Sequence, residues 1–76
     1  MRQRVIDILN QFRGDVDFDK AEGIITKKLI NSIDISEFIP ALEDEFDIEI
    51  GMEYMENENF DTVDAIVSMI EEIQEG

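Results

Sequence analysis

Apolar residues at positions 5, 8, 9 and 12 recur at the spacing of one helical face, and the run stops before Gly14. Val5, Ile8, Leu9 and Phe12 therefore predict a first helix over about residues 2–12. From 13 to 31 the period is lost, yet Val16, Phe18, Ile24, Ile25, Leu29 and Ile30 are too many apolar groups for a free linker. This long connection is expected to pack across the helices, with a short turn near 20–28. Ile35, Phe38, Ile39, Leu42 and Phe46 mark a second helix, with Asn31 or Ser32 as its N-cap. Asp34 falls in its first turn, where a carboxylate complements the helix dipole. Ile48 and Ile50 alternate around Glu49 as in a strand, but a lone strand has no partner, so an extended loop through Gly51 is expected. Glu53 to Phe60 has room for a short turn. Asp61-Thr62-Val63-Asp64 then opens a last helix carrying Val63, Ile66, Val67, Ile70 and Ile73 on one face. Three main helices plus one or two minor ones make an all-α fold, a small bundle with a long first crossover.

Pro40 sits inside the second helix. It deletes the amide that would bond the Ser36 carbonyl, and its ring crowds that carbonyl, at about 3 kcal/mol if the helix cannot adjust. Positions 32, 36 and 40 share a stripe opposite much of the apolar face. The freed carbonyl can therefore reach water or the Ser36 hydroxyl, and a bend near 36–40 is expected.

Length and charge narrow the picture. At 76 residues the chain is read as one domain, 1–76, with a local core and no room for a deep catalytic cleft. The absence of cysteine removes disulfides and thiolate metal sites and fits a reducing compartment. No apolar run approaches the roughly 20 residues of a membrane span, and the charged N-terminus does not read as a signal peptide. A cytoplasmic monomer is expected. The net charge of −14 is unevenly distributed: all six basic residues lie in the first 28 positions with five acids, and the remaining 48 carry fifteen acids and no base. Such a polyanionic surface repels nucleic acid and anionic lipid and draws basic protein patches. It also serves plain solubility.

Little conventional chemistry survives inspection. Asp15, Asp17 and Asp19 reproduce the first three ligand positions of a calcium loop, but Lys20 stands where glycine must turn the chain and Thr26 where a bidentate glutamate must close the shell. An acidic surface loop is the simpler reading. Without histidine, a serine nucleophile has no customary base. Ser32 invites a different question, whether it is the object of chemistry and not its agent. At a helix start a phosphodiester would sit among unpaired amides and the positive dipole end, although the same position suits a simple capping serine.

Asn31-Ser32-Ile33-Asp34 resembles the Asp-Ser-Leu-Asp/Glu signature of acyl carrier proteins and the related peptidyl and D-alanyl carriers. The resemblance continues through Glu37 and Ala41-Leu42-Glu43-Asp44-Glu45-Phe46-Asp47-Ile48-Glu49-Ile50, and resumes at Glu58-Asn59-Phe60-Asp61-Thr62-Val63-Asp64-Ala65-Ile66. It covers about the last fifty residues, in three ordered blocks. It implies a four-helix carrier fold that is not an enzyme, in which Ser32 is esterified by 4′-phosphopantetheine from coenzyme A. The thiol ending that arm would hold an acyl or aminoacyl group as a thioester.

Implied partners are a holo-carrier-protein synthase, with magnesium held mostly on its own side, and acyl- or aminoacyl-transferring enzymes with basic docking patches. Asp34, Glu37, Glu43, Asp44 and Asp47 would form the anionic patch they read, with Ile33 as an apolar contact. Two residues depart from the pattern. Asn31 replaces the usual aspartate, and Pro40 stands on the partner-facing stripe where a flexible apolar residue is common. The segment before the serine also lacks the Gly-Ala-Asp-Ser form of the fatty-acid type, which points toward freestanding aminoacyl or specialised carriers. The competing readings are an unmodified, carrier-like acidic interaction module and a calcium-binding protein.

Overall fold

The computed structural model describes residues 1–75, with Ser32 described through its backbone alone. Among the described residues the order is α1 (Arg2–Phe12), α2 (Ser32–Phe46), a 3₁₀ turn (Met52–Tyr54), α3 (Asn57–Phe60) and α4 (Val63–Glu75). None of these helices is long and apolar enough to cross a membrane. The fold is the expected all-α bundle, and Ile48 and Ile50 lie in a loop.

α1 buries Val5, Ile6, Ile8 and Leu9 and packs against both α2 and α4. It ends at Phe12 because Arg13 turns to extended backbone while its amide still bonds the Leu9 carbonyl at 3.0 Å. Phe12 meets Phe38 of α2 edge to face, with ring centroids 6.2 Å apart. α4 contributes Val63, Ile66, Met69 and Ile70 to the same core, and α3 brings Phe60. Phe46 packs only at the margin of this core. Arg2 joins three elements: its guanidinium pairs with Asp19 in the first connection at 2.9 Å and with Asp64 of α4.

The connection 13–31 packs across the helices as its apolar content requires. Phe18, Ile24 and Ile30 are buried in the common core. The short turn expected near 20–28 is present, where the Lys27 amide returns to the Gly23 carbonyl at 2.7 Å. Gly23 has φ 72°, a left-handed conformation that favours glycine, and the exposed Lys27 side chain lies over its Cα. Lys28 is also left-handed at φ 58°, letting the amides of Leu29 and Ile30 both reach the Ile24 carbonyl.

α2 runs without interruption through Pro40. Ser36 and Pro40 are both exposed, so the carbonyl released by the proline lies on the wetted side. The Ser36 hydroxyl does not serve its own carbonyl; it donates to that of Ile33 at 2.6 Å. The helix stops at Asp47, left-handed at φ 53°, where the amides of Asp47 and Ile48 converge on the Glu43 carbonyl. At α4 the cap is Thr62, whose Oγ1 accepts from the Ala65 amide at 3.0 Å. Asp61, the residue before it, is turned toward the first connection.

Candidate functional site

The start of α2 is organised by Asn31. With extended backbone at φ −83° and ψ 173°, its Oδ1 accepts from the Asp34 amide at 2.8 Å, and its carbonyl accepts from the Ile35 amide at 3.0 Å. Of the two candidates for N-cap, the asparagine fills the position, which leaves Ser32 as the first helical residue. Capping thus does not account for the serine. The position of its hydroxyl lies outside the described residues. Asn31→Ala is expected to cost about 1 kcal/mol, a fall in Tm of about 4–8 °C for a domain of this size, measurable by thermal denaturation.

Residues 33, 37, 40, 44 and 47 follow the spacing of one helical stripe, and Ile33, Glu37, Pro40, Asp44 and Asp47 are all exposed. Ile33 is 72% exposed, which removes core packing as its role. Asp34 and Glu43 are nine residues apart, half a turn out of phase at 100° per residue, and both are half-buried. They flank the stripe on opposite sides. Glu43 is moreover committed to the fold, since its Oε2 accepts from the Ile50 amide at 2.9 Å and pins the loop after α2. Glu45 pairs with Arg4 at 2.7 Å. Among the described residues no ion pair engages Asp34, Glu37, Glu43, Asp44 or Asp47, and Glu37, Asp44 and Asp47 are the exposed ones.

Beside Asn31 an open cavity of about 490 Å³ is lined by Ile25, Lys28, Ile30, Asn31, Ile35 and Asn57. A smaller one of about 120 Å³ shares Ile25, Ile35 and Asn57 and extends to Ile39, Met55, Glu56 and Phe60. Together they make a largely apolar cleft between the first connection, α2 and α3, with Lys28 and Asn31 at one end, Glu56 at the other and Asn57 common to both. Met55, in the lining of the smaller cavity, is 43% exposed, and Met52 of the 3₁₀ turn is 89% exposed. Sequence reasoning missed these methionines because the 3₁₀ turn that displays them has no apolar period.

The calcium-like run is dispersed. Asp15 accepts from Arg13 Nε at 3.0 Å, and Asp19 from Arg2. Among the described residues no three metal-ligating side chains converge.

Asp61 joins the start of α4 to the first connection. Its Oδ1 accepts from the amides of Ile25 and Thr26 at 3.0 and 2.9 Å, and its Oδ2 from the Thr26 hydroxyl at 2.6 Å. The Thr26 hydroxyl is the main cause of a carboxyl pKa below its ordinary 3.8, with the Thr26 and Ile25 amides adding to it against a little desolvation. A depressed folded value means the bonds stabilise fully above 3.8 and are lost as pH falls through Asp61's own lower midpoint. Following the Asp61 carboxyl by NMR during acid titration is expected to give a midpoint below 3.8 that moves back up in Thr26→Val.

An acidic helical bundle whose second long helix opens on a serine, capped by the residue before it, is consistent with the carrier fold that the sequence resemblance implies. No family model matches the chain. The D-alanyl carrier protein of Lactobacillus acidophilus is 30% identical to it over 74 residues, covering 96% of this chain and 94% of that protein. The chain belongs to the acyl carrier protein family and is a carrier protein.

Proposed function

We propose that Ser32 carries a 4′-phosphopantetheine arm derived from coenzyme A and that the protein shuttles an acyl group, in this case an aminoacyl group, between partner enzymes. The observation that supports this most is Asn31 filling the cap, so that the serine opening α2 is left without that structural duty. D-Alanine is the cargo we favour, because the relative bears that name. The residues near the helix tip fit the arm chemically: Lys28 suits a phosphate, Asn31 and Asn57 suit amide groups, and Ile25, Ile30 and Ile35 suit its alkyl parts. When bound, the group supplies the thiol that this cysteine-free chain lacks, holding cargo as a thioester.

The chain's own part is presentation. The α2 dipole stabilises negative charge at its opening turn. Glu37, Asp44 and Asp47 draw the basic faces of a holo-carrier-protein synthase and of acyl- or aminoacyl-transferring enzymes, and Ile33 offers an apolar contact beside the serine. Exposed charges give fast, salt-sensitive encounters of modest affinity, which suits a carrier that must leave each partner. We place this traffic in the cytoplasm and take the carrier to be a one-domain monomer.

The test is incubation with coenzyme A, magnesium and a holo-synthase, read by intact mass. A gain of one phosphopantetheine is expected. No gain with several synthases would favour the unmodified interaction module, for which Asn31 in place of the family's aspartate is the motive.

A further inference from the structure

Residues 24–30 form a strap that runs from the start of α4 to the threshold of α2. Its conformation is one the chain would not keep alone, since Lys28 holds a left-handed backbone that a non-glycine residue adopts at a cost. Such a conformation persists only when its surroundings over-determine it. Two contacts from outside the strap do so. At one end Asp61 takes three donors from Ile25 and Thr26 on its carboxylate and a fourth, the Ile24 amide at 2.8 Å, on its carbonyl. At the other end Arg13 Nη1 donates to the Leu29 carbonyl at 2.9 Å. Ile25 at the first anchor, Lys28 between the two and Ile30 just past the second form one wall of the cavity at Asn31.

We propose that Asp61 is a positioning residue for the Ser32 site: by clamping the strap it fixes the wall formed by Ile25 and Lys28, and so sets how well a modifying enzyme engages the opening turn of α2. The inference rests on the reading of Ser32 as the attachment point. Asp61 acts through the strap: among the described residues its side chain hydrogen-bonds to Ile25 and Thr26. The Thr26 hydroxyl is its partner, so the two side chains are expected to act as one unit.

The experiment compares wild type, Asp61→Ala, Asp61→Asn, Thr26→Val and the Asp61→Ala/Thr26→Val double variant in two measurements. Hydrogen exchange reads the amides of residues 25–30 in the unmodified protein. Steady-state kinetics with a holo-synthase and coenzyme A give KM for the carrier and kcat separately. In Asp61→Ala the strap amides are expected to exchange faster while those of α1 and α4 do not. KM should rise on the order of fivefold, the factor one net hydrogen bond represents, with kcat little changed. Asn, which can still accept from the two amides, should restore part of the loss, and the double variant should be no worse than Asp61→Ala. Thr26→Val keeps the carboxylate and its amide bonds, and serves if Asp61→Ala does not fold. A modified wild type beside variants with unaltered KM, or strap protection unchanged in Asp61→Ala, overturns the clamp alone. A wild type that no synthase modifies overturns the Ser32 reading, and the positioning role with it.

Discussion

Ser32→Ala is expected to abolish attachment of the arm while leaving the fold intact. The loss should be complete because the other aliphatic hydroxyls are poorly placed to substitute. Thr26 donates to Asp61, Ser36 to the Ile33 carbonyl, and Thr62 caps α4, while Ser68 lies in the middle of α4. None of them opens α2. Stability should hardly change, since Asn31 provides the cap and alanine is the best helix former for the position that follows. Intact mass after incubation with coenzyme A and a holo-synthase, paired with a thermal melt, separates the two effects. A Ser32→Ala protein that still gains the mass of an arm would move the site elsewhere.

The largest effect on stability is expected from Phe38→Ala. Phe38 is 1% exposed, packs between α2 and the rest of the core, and carries the edge-to-face contact with Phe12 of α1. Truncating a buried phenylalanine costs about 3–5 kcal/mol, from lost burial and the cavity left behind. A chain of 76 residues has about 4–11 kcal/mol of stability in all. The variant should therefore be marginal or unfolded at room temperature, whereas exposed Glu37→Ala, one residue away, should change stability by no more than about 0.5 kcal/mol. Urea denaturation followed by circular dichroism checks both. A loss below about 1 kcal/mol for Phe38→Ala would contradict the packing of α1 on α2.

The periodic parts of this molecule were legible in its sequence. Val5, Ile8 and Leu9 located α1, and Phe38 with Leu42 located the buried face of α2, because helical spacing is local information. The family signature led to Ser32 and the resemblance to the fold. Less was legible wherever two distant segments meet. In sequence Asp61 is simply the first residue of the run that opens the last helix, and only the fold reveals that its carboxylate serves Thr26, 35 residues earlier. Glu43 looked like one more member of an acidic face, yet its carboxylate holds the Ile50 amide in the loop after α2. Charge counts do not distinguish a carboxylate that waits for a partner from one that holds a backbone amide; that difference lies in three-dimensional register alone.

The central claim is that the serine opening α2 bears a single covalent arm. Its most direct test is peptide-resolved mass spectrometry of the protein isolated from its own cells under conditions that preserve thioesters. The account predicts one phosphopantetheine on the peptide containing Ser32, some of it bearing a further small acyl or aminoacyl mass. A Ser32 peptide found only unmodified, or an arm mapped to another residue, would contradict it.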